Sequence, residues 1–174
     1  MNLITAKPAG VYIIEPRVFC DNRGWFTETY NNAAFEKNGL IYNFVQDNHS
    51  YSAEKGTLRG LHWQCAPHEE AKLVRCVNGS IWDVAVDVRE GSSTYLQWFG
   101  IELSNGNGKS LYIPEGFAHG FITLQEHTTV TYQISREYCL ESGRRLRWDD
   151  PKIGIEWPFS PIIVSDKDQS WKFL

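Results

Sequence analysis

Several large classes of protein are excluded by what this chain has little of. It holds one Met and only four Cys, Cys20, Cys65, Cys76 and Cys139, with no CxxC pair among them. Neither a disulfide-stapled mini-protein nor a zinc knuckle is supported by that number and spacing, and a reducing compartment with free thiols is the simpler setting. No uncharged apolar run approaches the roughly 18 residues that a membrane span needs. Met1 to Gly10 likewise lacks a basic region followed by an apolar stretch. These absences together read as a soluble protein that is not exported and works in the cytoplasm. Positive charge is scarce too. Lys and Arg number 17 against 21 Asp and Glu, giving a net charge of -4. General nucleic-acid binding is therefore not expected, and an anionic partner must be met by a local cluster of cations.

Helical pattern is equally thin. The one good stretch runs from Asn31 to Asn38, with Asn32 placed to cap, Ala33 and Ala34 as helix formers, Phe35 facing inward and Asn38-Gly39 as the stop. What is abundant is aromatic and turn-forming: 7 Trp, 8 Tyr and 9 Phe stand beside 14 Gly and 7 Pro in 174 residues. That mixture favours strands joined by tight turns. Strand signals recur over Thr57 to Trp63, Ala71 to Val77, Ser80 to Val88, Leu96 to Leu103, Ser110 to Ile113, Gly120 to Leu124 and Thr128 to Ser135. Val11 to Phe19 adds the start of a strand pair, followed by turn chemistry at Asp21-Asn-Arg-Gly24. Asn78-Gly79 is the sharpest hairpin signal. No repeat or linker interrupts the chain, so residues 1–174 are read as one all-β domain, a barrel or sandwich with one or two short helices. Within Ile81 to Val88, alternation puts Asp83, Ala85 and Asp87 on one face and Trp82, Val84, Val86 and Val88 on the other. The carboxylate face is either solvated or lines a polar cavity.

Gly108-Lys-Ser-Leu-Tyr-Ile-Pro114-Glu-Gly116-Phe-Ala-His119 has the spacing Gly, five residues, Pro-x-Gly, two residues, His. It resembles the second signature of the cupin superfamily, which implies a jelly-roll β-barrel. Cupins commonly hold a metal through a His-x-His in their first signature. Here the matching stretch is Gly60-Leu61-His62-Trp63-Gln64, with Gln64 in place of the second His. No metal and no cofactor are therefore expected, and His62 is left to act as an acid or base.

A closer resemblance covers nearly the whole chain. Phe19 to Tyr30 (FCDNRGWFTETY), Val45 to Ser50 (VQDNHS), Leu58 to Gln64 (LRGLHWQ), Lys72 to Cys76 (KLVRC), Asp83 to Asp87 (DVAVD), Ile113 to Gly120 (IPEGFAHG) and Ile153 to Phe159 (IGIEWPF) occur in order. Together they resemble the dTDP-4-dehydrorhamnose 3,5-epimerases. The resemblance implies a homodimer that inverts the carbons flanking a ketone in a nucleotide-linked 4-keto-6-deoxy sugar. It implies His62 as base, Asp168 as the carboxylate that orients it, Tyr132 as the acid on the opposite ring face and Lys72 as the cation near O4. It also implies Arg23 and Arg59 on the diphosphate, joined more weakly by Lys167, with Arg23 reaching into the partner subunit's site. Phe26, Glu28, Gln46, Asn48 and Tyr138 match positions that contact sugar or base, Tyr138 as a stacking platform. His119 faces the barrel in either a structural or a catalytic role, and Asp83 is either a buried partner or a surface carboxylate.

Proton chemistry explains these residue types. The C3 and C5 protons lie α to the C4 carbonyl, so removing one gives an enolate with its charge on O4. Inversion needs a base on one ring face, a proton donor on the other and a stabilised O4. In an acidic protein Arg23, Arg59 and Lys72 must converge on one small anion. The chain departs from the family at Glu70-Ala71, where the rhamnose enzymes usually carry Gln-Gly. That difference bears on which sugar is bound, leaving open a GDP-linked 4-keto sugar or heptose and inversion of a single carbon. A 3,4-ketoisomerase and a non-catalytic nucleotide-sugar-binding cupin are the remaining alternatives.

Overall fold

Short strands dominate the computed structural model, which describes residues 1–41 and 43–174. In chain order they are β1 (Asn2–Thr5), β2 (Tyr12–Glu15), β3 (Val18–Asp21), β4 (Gly24–Thr27), then α1 (Asn32–Lys37), β5 (Gln46–Ser52) and β6 (Thr57–Gln64). Next come β7 (Lys72–Asn78), β8 (Ser80–Asp87), β9 (Trp98–Ser104), β10 (Ser110–Ile113), β11 (Phe117–Thr123) and β12 (Thr128–Ile134). The chain closes with β13 (Gly143–Arg145), β14 (Ile163–Val164) and α2 (Asp166–Gln169). No helix among the described residues is long and apolar enough to cross a membrane.

A first sheet runs β1-β2-β10-β7-β12-β5, and a second runs β13-β6-β11-β8-β9 with β14 beside β6. From β5 to β8 the chain changes sheet at every step. Val74, Cys76, Leu111, Ile113 and Val130 of the first sheet pack against Ile81, Ala85, Leu103, Phe117 and Phe121 of the second. This is the apolar filling of a sandwich, and burying it drives the two sheets together. On the outer face of the first sheet, Phe35 of α1 packs with Ile14, Leu73 and Tyr112. On the outer face of the second, Leu61, Val84, Val86 and Ala118 lie under Leu146 and Ile153, edged by Trp63, Trp82, Trp98 and Trp157. The all-β jelly-roll architecture, with two short α-helices among the described residues, agrees with the sequence expectation.

Two local expectations are corrected, and an alternative left open is decided. The cap of α1 is Asn31, whose side chain accepts from the backbone N–H of Ala34, and not Asn32, which is already helical. Asn78-Gly79 does not close a hairpin: β7 belongs to the first sheet and β8 to the second, so the turn is a corner between sheets. Gly79 is required there, because its φ is 76° and a Cβ would stand 2.5 Å from Thr128 Oγ1. The carboxylate face of β8 is not solvated. Asp83 and Asp87 are both fully buried: Asp83 has Oδ1 against His119 and Oδ2 without a partner, whereas Arg89, Ser92 and Thr94 donate to Asp87 and offset its burial.

Candidate active site

At one end of the sandwich the facing side chains turn polar and enclose a cavity of about 1120 Å³. The first sheet contributes Gln46 and Asn48 from β5, Lys72 from β7 and Tyr132 from β12. Arg59 and His62 of β6 and His119 of β11 line it from the second sheet, and Lys167 and Asp168 of α2 complete that wall. His62 and Tyr132 therefore belong to opposite sheets of one pocket. Tyr138 is exposed and lines the pocket as well.

The strand that carries His62 depends on a glycine. Gly60 has φ 127°, and a Cβ there would meet Gly120 Cα of β11 at 2.6 Å. Only a residue without a side chain lets β6 and β11 approach so closely, with His62 level with His119 in the pairing. The tail supplies the partner. β14 lies parallel to β6 at Thr57 and Leu58, and Ser165 caps α2 by accepting from the backbone N–H of Asp168. Asp168 is thereby buried with Oδ1 2.7 Å from His62 Nε2 and Oδ2 3.4 Å from the Gly60 N–H. Arg147 donates to the Gln169 carbonyl, and the Leu174 N–H donates to Asp150 at 2.7 Å, pinning the tail.

Burial alone would raise the Asp168 carboxyl, but the hydrogen bond and charge of His62 and the Gly60 N–H outweigh it and hold the acid below its ordinary value. An ionised Asp168 only accepts, so in the neutral imidazole the proton sits on Nε2 and the lone pair on Nδ1. The hydroxyl of Tyr132 is shifted the other way. Burial raises it, Arg59 opposes, and Glu70 adds to the rise, so the phenol stays protonated at neutral pH. Lys72 Nζ is buried, donating to the His62 carbonyl at 3.2 Å and pairing with Glu70 at 3.2 Å. His119 Nε2 lies 2.7 Å from Asp83 Oδ1, which anchors its ring in the pocket lining. The arrangement can take a proton on one wall, give one from the other and offer a cation between.

The donor set does not fit a cupin metal. Gln64 spends its amide on the backbone, accepting from Cys139 N–H and donating to the His68 and Glu137 carbonyls. His62 and His119 each have Nε2 bonded to a carboxylate. Among the described residues no three His, Cys, Asp or Glu side chains gather as ligands.

Some sequence expectations land elsewhere. Arg59 and Lys72 do converge, but Arg23 does not join them in this chain. It is exposed on the β3–β4 hairpin, bonded to its neighbour Asp21 at 2.6 Å. Phe26 on the same hairpin is 68% exposed, and Glu28 just beyond it accepts from Asn31. Neither lines the pocket of its own chain, because the hairpin forms a separate two-stranded sheet. Arg144, Arg145 and Trp171, which sequence reasoning missed, do line it. The Arg pair in the short run Gly143–Arg145 was the available signal. His49 is exposed and lines the pocket too.

Residues 6–174 match the family described as dTDP-4-dehydrorhamnose 3,5-epimerase. The dTDP-4-dehydrorhamnose 3,5-epimerase of Sinorhizobium fredii is 50% identical over 163 residues, covering 93% of this chain and 84% of the relative. The crystal structure of the Bacillus anthracis enzyme of that name, with TDP and PPi bound, is similar at TM-score 0.95 and 45% identity over 99% of each chain. The Legionella pneumophila dTDP-6-deoxy-D-glucose-3,5-epimerase, in complex with dTDP-4-keto-L-rhamnose, gives TM-score 0.93 and 40% identity, covering 99% of this chain and 92% of its own. Likeness of sequence and of backbone thus extends together from the first strands to the tail that carries Asp168, and the chain belongs to the dTDP-4-dehydrorhamnose 3,5-epimerase family.

Proposed function

We propose that this protein inverts C3 and C5 of dTDP-4-dehydro-6-deoxy-D-glucose to give dTDP-4-dehydro-L-rhamnose, with His62 as base and Tyr132 as acid. The observation that carries this reading is the His62–Asp168 pair at 2.7 Å facing a protonated Tyr132 from the opposite sheet. In the D-gluco chair the C3 and C5 protons are both axial and lie on one face. One base on one wall therefore reaches both, and His62 Nδ1 is the nitrogen left to accept them. Asp168 fixes the tautomer and stabilises the imidazolium. Negative charge gathers on O4 in each enolate, where Lys72 meets it. Tyr132 then returns a proton to the far face; His62 gives its proton to solvent and Tyr132 regains one from solvent before the second carbon is inverted in the same way. No metal or other cofactor enters these steps.

Arg59 and Lys167 serve the diphosphate, Gln46 and Asn48 the sugar, and Tyr138 stacks on the base. The working unit is a homodimer of the one domain, residues 1–174, located in the cytoplasm. In it the β3–β4 hairpin delivers Arg23, Phe26 and the adjacent Glu28 to the partner's pocket. Support for the dimer comes from the hairpin itself, which leaves Val18, Phe19, Trp25 and Phe26 exposed. Four free thiols agree with a reducing location.

Incubation with the dTDP-linked substrate in deuterated water is expected to place deuterium at both C3 and C5, read by NMR. No exchange at either carbon overturns the reading. Exchange at one carbon alone makes the protein a single-carbon epimerase, and turnover confined to a GDP-linked 4-keto sugar moves the substrate to that class. A product with its carbonyl moved to C3 would indicate ketoisomerisation.

A further inference from the structure

Glu70 is a buried pocket side chain that the proton relay does not use. Its side chain is 6% exposed and lines the cavity beside Lys72 and Tyr132. Oε1 lies 3.2 Å from Lys72 Nζ, whereas Oε2 is buried with no hydrogen-bond partner. A carboxylate oxygen taken from water without a donor is unfavourable. Because Glu70 lines the cavity, a ligand bound there can supply the missing donor.

On the basis of the function proposed above, we infer that Glu70 determines specificity, its Oε2 accepting a hydrogen bond from the C2 hydroxyl of the sugar. The hexose offers two ring hydroxyls, on C2 and C3. C3 is inverted, so its hydroxyl changes direction during the reaction, and a buried acceptor held by its pairing with Lys72 just before β7 suits only one of its two configurations. C2 keeps its configuration from substrate to product. Its hydroxyl is also one carbon further from the enolate oxygen, where a second negative charge would oppose catalysis. Oε1 meanwhile holds Lys72, so one carboxylate ties the orientation of the ring to the cation that meets O4. Glu70 is thus a positioning residue for Lys72 and a direct contact for the sugar.

The experiment compares deuterium exchange of the normal substrate and its 2-deoxy analogue, for the parent protein and for Glu70→Ala. The parent is expected to lose roughly 10- to 100-fold in kcat/KM on the 2-deoxy analogue. Glu70→Ala should lose at least a similar factor on the normal substrate and a factor at least about threefold smaller on the analogue, where the hydroxyl contact is already missing and only the support of Lys72 is lost. Equal losses from Glu70→Ala on both substrates would overturn the inference and leave Glu70 as a support for Lys72 alone. A parent that handles both substrates equally well would overturn it without any variant. Exchange of neither substrate by the parent would instead bring down the epimerase reading, and the inference with it. Should the Ala variant fail to fold, Glu70→Gln keeps the size. It is expected to reduce the preference for the 2-hydroxyl at least about threefold, and an unchanged preference overturns the inference.

Discussion

Asp168 and His62 stand 106 positions apart yet meet at 2.7 Å, and most of the proposed chemistry rests on that contact. Replacing Asp168 by Asn keeps the shape but removes the charge that holds the tautomer and stabilises the imidazolium. Steady-state kinetics should show kcat lower by about 10²- to 10³-fold with KM little changed. The same variant has a stability signature. Because the folded Asp168 carboxyl titrates below its ordinary value, its contribution is present above the unfolded value, near pH 4, and is lost as pH falls through the lowered folded value. Urea unfolding should accordingly show a deficit for Asp168→Asn at pH 7 that shrinks by pH 3. Nothing local in Ser165-Asp166-Lys167-Asp168 announces a partner, so only the family resemblance brought the pair together in advance. Glu70 was legible as an oddity of sequence, but its unpartnered oxygen emerges only from the packing around it.

Among the elements, β6 shows how a backbone requirement can position a side chain. Gly60→Ala would force a residue at φ 127° to place its Cβ 2.6 Å from Gly120 Cα. The expected cost is about 3 kcal/mol or more, read from the urea midpoint, with a loss of exchange activity as β6 moves off β11. Strands that feed the apolar core were readable because their side chains carry that core, Ser110–Ile113 to the residue. β5 was missed as a strand for the opposite reason. Gln46, Asn48 and Ser50 point toward the pocket and not into the apolar core, so the segment has no hydrophobic alternation to reveal it. Asn78-Gly79 was misread because turn chemistry specifies a reversal of the chain without specifying which sheet receives the next strand.

At the level of the whole molecule, the cations expected to converge are divided. Arg59 and Lys72 line the pocket of their own chain, and Arg23 stands on an exposed hairpin. If that hairpin completes the partner's site, Arg23→Ala and His62→Ala proteins are each weak alone but regain activity when mixed and allowed to exchange subunits. One site of the mixed dimer then has both residues intact. Activity equal to the sum of the separate proteins, with exchange verified by native mass spectrometry, would place Arg23 outside the partner's site. The pinned tail has its own consequence. The two sheets and the pocket's strand-borne residues are all supplied by residue 164, whereas the carboxylate behind His62 arrives only at position 168. A protease that clips the exposed link around Ser165 would therefore leave a sandwich with its barrel contacts intact and its base unsupported, a form that antibodies or sizing would count as sound but that a turnover assay would not.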